Sequence, residues 1–226
     1  MEGIREVMMK SYLSACLLVA LSVPVGADPE KAPDAKPAAE PKAAAVARAN
    51  ATVTLNNLRM LHLTLFEFDS DYGSFPDDET GADVTDATGT SLTFKGGTSN
   101  AYFRQLLATV ARSEKIFQIG GGKAPDEQFK SDATALAKGE CGIAYVVGLS
   151  TSGDASTPVA LAPLVPGKLQ FDPVPFGGKA VVLRMDGSVK TETITPEGNV
   201  MVDGKSLFDP AQPFWKGKVP KVAWPE

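Results

Sequence analysis

Between Leu55 and Tyr72 apolar residues recur every three or four positions, and this spacing predicts an amphipathic helix over about 43–72. Leu58, Leu61, Leu65, Phe68 and Tyr72 fall on one stripe of that helix, and Leu55 and Phe66 widen it. Arg59, Glu67, Asp69 and Asp71 fall largely off the stripe. Gly73 follows the last stripe residue, where a left-handed C-cap is expected, and Pro76 stands where the helix cannot continue. The pattern describes a core helix packed on a sheet.

The pattern changes after Pro76. Residues 77–100 are rich in Asp, Thr and Gly and read as a surface loop. Its acidic cluster (Asp77, Asp78, Glu79, Asp83, Asp86) lacks the alternating ligand spacing of a calcium loop. Ser99 or Asn100 is placed to cap a short helix whose apolar face is Phe103, Leu106, Leu107 and Val110. Gly120-Gly121-Gly122-Lys123 lacks the hydroxyl residue of a phosphate loop, and Pro125 interrupts any helix start, so it reads as a flexible turn. Residues 126–138 read as a short polar helix, then 141–147 and 159–165 as strands. The clearest hairpin follows. Residues 181–185 and 189–194 are strands, joined at Asp186-Gly187 by an expected type I′ turn. The proline-rich tail beyond Val200 is expected to lie across the sheet through Leu207, Phe208, Phe214, Trp215 and Trp224. These elements predict an α+β fold with a long N-terminal helix on an antiparallel sheet.

The chain has 226 residues, of which 43% are hydrophobic, enough for one core plus ancillary segments. A net charge of −5 with no basic stripe argues against nucleic acid as a partner. Residues 1–27 carry Arg5 and Lys10, an apolar run and Val25-Gly26-Ala27, the layout of a cleaved export signal. Leu13-Ser14-Ala15-Cys16 spells a lipoprotein box, but the apolar run follows it instead of preceding it. Lipid anchoring through Cys16 is therefore the minor alternative. Pro29, Pro33, Pro37 and Pro41 make 28–42 an extended polar linker and leave 43–226 as the globular domain. No stable membrane span is expected after signal cleavage. The expected location is the periplasm or the exterior.

Two stretches resemble bacterial type IV pilin-like proteins, especially the pseudopilins of type II secretion. The first is the helix closing on Leu61-His62-Leu63-Thr64-Leu65-Phe66-Glu67-Phe68 and then Asp71-Tyr72-Gly73-Ser74-Phe75-Pro76. The second resembles a motif near the C-terminus of many prepilin-like proteins, a histidine, nine residues and Asp-Gly; here Phe176 replaces the histidine before Asp186-Gly187. The usual Gly-Phe-Thr-Leu-Ile-Glu type of prepilin junction does not occur in this sequence. The resemblance covers about a third of the chain. It implies a pilin-like fold and a structural or accessory role with secretion or pilus components, or with related pilin-like subunits. Some pseudopilins bind calcium in a C-terminal loop, and Asp186, Asp203 and Asp209 are the candidate ligands here, although no cofactor is required.

Catalysis finds little support in the residues. The single histidine, His62, lies within the predicted helix, and no Gly-x-Ser-x-Gly motif accompanies it. Cys141 is the one cysteine left after signal removal and reads as a buried apolar residue. No catalytic residue is assigned. A glycan- or small-ligand-binding module using exposed tail aromatics is the second reading, and a secreted carboxylate-dependent hydrolase the third.

Overall fold

The structure is a computed structural model and describes residues 42–226. The signal over 1–27, the acylation site at Cys16 and the linker up to residue 41 lie outside the described residues. Helix α1 (Lys42–Tyr72) has 31 residues, a length of about 46 Å at the usual rise. Its buried positions are Ala51, Thr54, Leu58, Leu61, Leu65 and Phe68, so one side of the helix carries the contact. Tyr72 is only half-buried and stacks on Phe68 with ring centroids 4.5 Å apart. Gly73 ends the helix at φ 80°, its N–H bonded to the Asp69 carbonyl at 2.7 Å.

Seven short strands follow: β1 (Ala144–Val146), β2 (Pro158–Ala162), β3 (Lys179–Arg184), β4 (Val189–Thr193), β5 (Met201–Val202), β6 (Lys205–Ser206) and β7 (Val222–Ala223). Five form a sheet in the order β4-β3-β2-β1-β7, with every neighbouring pair antiparallel, and β5 pairs with β6 separately. The protein therefore mixes helix with a five-stranded antiparallel sheet. Strand β3 packs on α1 through Val181 and Leu183, while Ala180 and Val182 join a second apolar cluster on the other face. That second cluster is completed by Phe171 of the β2–β3 connection and by Leu207, Phe208, Phe214 and Trp215 of the C-terminal segment. Central strands covered on both faces read as unbroken apolar runs, as β2 and β3 do. The outer strand β4 keeps Lys190, Thr191 and Glu192 toward solvent or half-buried, which blunts its free edge.

Several local expectations are corrected. The stretch expected to be a loop contains helix α2 (Thr80–Thr88). Asp77 Oδ1 accepts the N–H groups of Glu79 and Thr80, and the buried Thr80 hydroxyl donates to Gln105 at 2.7 Å. Capping and a single buried Val84 thus offset poor helix propensity. Helix α3 (Ser99–Ala108) is capped by Thr98, one position before the expected residues. Ser99 and Asn100 are buried instead, and Asn100 bonds the Leu136 carbonyl at 2.7 Å. Residues 126–138 form turns and no helix. Their backbone groups bond to side chains from elsewhere: Arg104 Nε donates to the Ala135 carbonyl, and Glu114 accepts from the Leu136 N–H. Glu127 and Leu136 also sit at positive φ, which breaks a helix twice. The triple glycine is a contact and not a free turn. A Cβ on Gly120 would clash with the Asn50 carbonyl oxygen of α1, and the Gly120 N–H bonds Thr54 Oγ1 at 2.9 Å.

Leu61 and Leu65 have no exposed surface. Leu61→Ala is expected to lower stability by about 3 kcal/mol through lost burial and a residual cavity, measured by urea unfolding. Converting both to Asp is expected to abolish folding, read as loss of near-ultraviolet dichroism.

Candidate functional site

The described site begins where α1 meets the β3–β4 hairpin. The hairpin turn differs from the expected type I′ form, because Asp186 has no positive φ while Gly187 has φ 79°. The Gly187 N–H returns to the Arg184 carbonyl at 3.0 Å, and the Arg184 N–H bonds the Ser188 carbonyl at 2.9 Å. This is a three-residue loop with glycine at the left-handed position, so only one residue needs that conformation. The Asp186 carboxylate accepts the Ser188 N–H at 2.9 Å, and its bonds to Ser188 hold it below the usual carboxylate range. His62 of α1 covers the turn. Its Nε2 lies 3.4 Å from the Met185 carbonyl oxygen, and its ring packs 4.3 Å from Phe66. A Cβ on Gly187 would stand 2.6 Å from the His62 ring.

The C-terminal end of α1 is tied to the sheet. Phe75 is fully buried and its N–H bonds the Leu149 carbonyl at 3.0 Å. The Tyr145 hydroxyl of β1 donates to the Pro76 carbonyl at 2.9 Å, and Asp69 accepts both the N–H and the hydroxyl of Thr151. Asp78 accepts from Tyr102 and Lys221, both at 2.8 Å, and these bonds hold its carboxyl below the ordinary range.

The candidate calcium ligands do not converge as a set. Asp186 and Asp203 line one cavity of about 330 Å³ together with Arg184 and Lys190, whereas Asp209 is not among its walls. Asp209 instead accepts the Ala211 N–H at 2.8 Å. Among the described residues, the carboxylates that do converge are Glu114, Asp126 and Glu140, with one oxygen from each lying within 4.8 Å of the others. Glu114 opens a 3₁₀ helix (Glu114–Phe117) and, like Glu140, is buried, while Asp126 is exposed. Burial pushes the Glu114 carboxyl up; the Leu136 N–H opposes this, and Glu140, Asp126 and Glu127 add to it. The spacing of these residues in the chain gave no motif. The one sequence signal is that Glu114 and Glu140 stand within two residues of apolar segments, at Ile116-Phe117 and at Cys141-Gly142-Ile143.

Tail aromatics expected to be exposed for ligand stacking are largely withdrawn. Phe208, Phe214 and Trp215 are buried, and Trp215 Nε1 donates to the Leu207 carbonyl at 2.7 Å; Trp224 is half-buried. Phe176, at the place of the motif histidine, is a buried core residue. Cys141 is buried beside Ser99, and burial pushes its thiol up to about 11, far from a reactive thiolate. His62 faces a ring and a carbonyl oxygen, so the two side chains do not form a nucleophile–base pair. No family model matches the chain, and neither a curated protein nor a solved structure matches it.

Gly187→Ala is expected to cost about 2–4 kcal/mol, combining the left-handed backbone with the clash against His62. His62→Ala in that background is expected to relieve the clash and recover that part of the lost stability, measured as a coupling energy in a denaturation double-mutant cycle. Asp78→Asn is expected to cost less than about 1 kcal/mol at neutral pH, because Asp78 and Lys221 are both solvent-exposed. Since the folded carboxyl is depressed, its contribution is present above the unfolded carboxylate range. The difference between wild type and variant should therefore vanish in urea titrations as the pH falls through the folded value.

Proposed function

We propose that the chain is an exported, non-catalytic pilin-like protein that works by docking onto protein partners, either components of a secretion or pilus apparatus or related subunits. The observation that carries this reading is the outer side of α1. Val46, Val53, Met60 and Leu63 are exposed, Met60 at 52% and Leu63 at 61%, and they make up four of the seven large exposed apolar side chains among the described residues. Their spacing of seven, seven and three residues places them within roughly 100° of arc on a helix. Scattered apolar surface residues need no explanation, but a line of them on one helix marks an interaction surface. Val174 and Pro175 extend the line beside Val46.

The helix closing on a Tyr-Gly-Ser-Phe-Pro turn and the Asp-Gly hairpin lying against it support the pilin-like assignment. No helix among the described residues is long and apolar enough to cross a membrane. In this reading the proline-rich linker spaces the domain from whatever precedes it, and the export signal delivers it to the periplasm or beyond.

The triple variant V53D/M60D/L63D is expected to keep the wild-type unfolding midpoint within a few degrees, because the three side chains are not in the core. It should lose co-purification with secretion or pilus components from cell-envelope extracts. Undiminished recovery of those components by the folded triple variant would overturn the proposal.

A further inference from the structure

The convergence of Glu114, Asp126 and Glu140 lies far in sequence from the C-terminal aspartates and has its own structural support. Glu114 has no exposed surface, and its Oε1 accepts the Leu136 N–H at 2.6 Å. Its Oε2 is buried with no hydrogen-bond partner, the one such side-chain atom among the described residues. A buried, unpaired carboxylate oxygen is destabilising unless a proton or a cation meets it. The surroundings are acidic. Glu140 Oε2 accepts the Ala137 N–H at 2.9 Å, and its Oε1 meets Lys123 Nζ at 2.9 Å. Glu127 lies beside the site, accepting from Ser113 Oγ at 3.0 Å and from the Glu114 N–H at 3.3 Å, with Lys115 3.7 Å away. Lys123 thus pairs with one of the three carboxylates, Glu140, and its side chain is largely exposed.

We propose that Glu114, Asp126 and Glu140 bind one hard divalent cation, with calcium the best fit. The ligand set is all carboxylate, with neither histidine nor cysteine, which selects calcium or magnesium over zinc. Calcium–oxygen distances of about 2.3–2.6 Å allow ligands on one ion to lie up to about 5 Å apart, and the three oxygens meet that limit at 4.8 Å. Two ligands come from buried positions, and the third, Asp126, is exposed. The ion joins the 3₁₀ helix at Glu114 to the segments carrying Asp126 and Glu140. These otherwise rely on turns and side-chain bonds, so binding orders the long connection between α3 and β1.

The test uses the full chain, stripped with EDTA and titrated with calcium chloride, then with magnesium chloride. Calorimetry should show one calcium per chain. The thermal midpoint should rise by about 5 °C at a hundredfold excess over the dissociation constant. Asp126→Asn changes an exposed residue and keeps the fold; it should lose most of the shift. Glu114→Gln should lose the shift and, in EDTA, be at least as stable as wild type, since it removes the unpaired carboxylate. A stripped wild type that neither binds nor is stabilised by either ion would overturn the proposal. An equal calcium shift in wild type and Asp126→Asn would do the same.

Discussion

Everything else in the described structure rests on the burial of one side of α1. Leu58, Leu61, Leu65 and Phe68 have no exposed surface, and together they contribute roughly 6–12 kcal/mol of transfer free energy. That is comparable to the whole net stability of a domain. The stripe meets Val181 and Leu183 of β3 within the same apolar cluster. Directional bonds then fix the contact, with His62 over the hairpin turn within the stripe and Tyr145 to Pro76 just past the helix C-terminus. Apolar burial supplies the energy, and the polar ties set how the helix lies on the sheet.

The opposite face of the sheet depends on the tail. Phe208, Phe214 and Trp215 share the apolar cluster that buries Ala180 and Val182 of β3. The prolines and glycines of the tail allow it to bend over the sheet instead of adding long strands to it. Aromatic residues buried in this second core are not free to stack on a ligand.

Legibility in the sequence followed the length scale of the forces. The helix stripe and the Asp-Gly hairpin are local patterns, and the burial of Leu58 to Phe68 and the pairing of Val182 with Lys190 agree with them. The turn type was less readable, because Met185-Asp186-Gly187 closes as a three-residue loop and needs only Gly187 in the left-handed region. Helix α2 was hidden because its stability comes from the Asp77 cap and from Gln105, 25 residues from Thr80. Residues 126–138 carry a helix-compatible composition, yet Arg104 and Glu114 take their backbone groups. The Glu114, Asp126 and Glu140 cluster was illegible for the same reason: three carboxylates meet only after the connection folds. Long-range side-chain to backbone bonds leave no period in a sequence.

In the proposed reading, the buried side of α1 holds the fold and the apolar line on its other side meets a partner. The most direct measurement of that division is in-cell photocrosslinking from a reactive side chain placed at Leu63, with the same group at Lys190 on β4 as the control. Crosslinks from position 63, but not 190, to an envelope secretion or pilus component or to a second copy of the chain are the predicted result. Absence of crosslinks from position 63 in a folded, exported protein, or equal yields from both positions, would contradict the account.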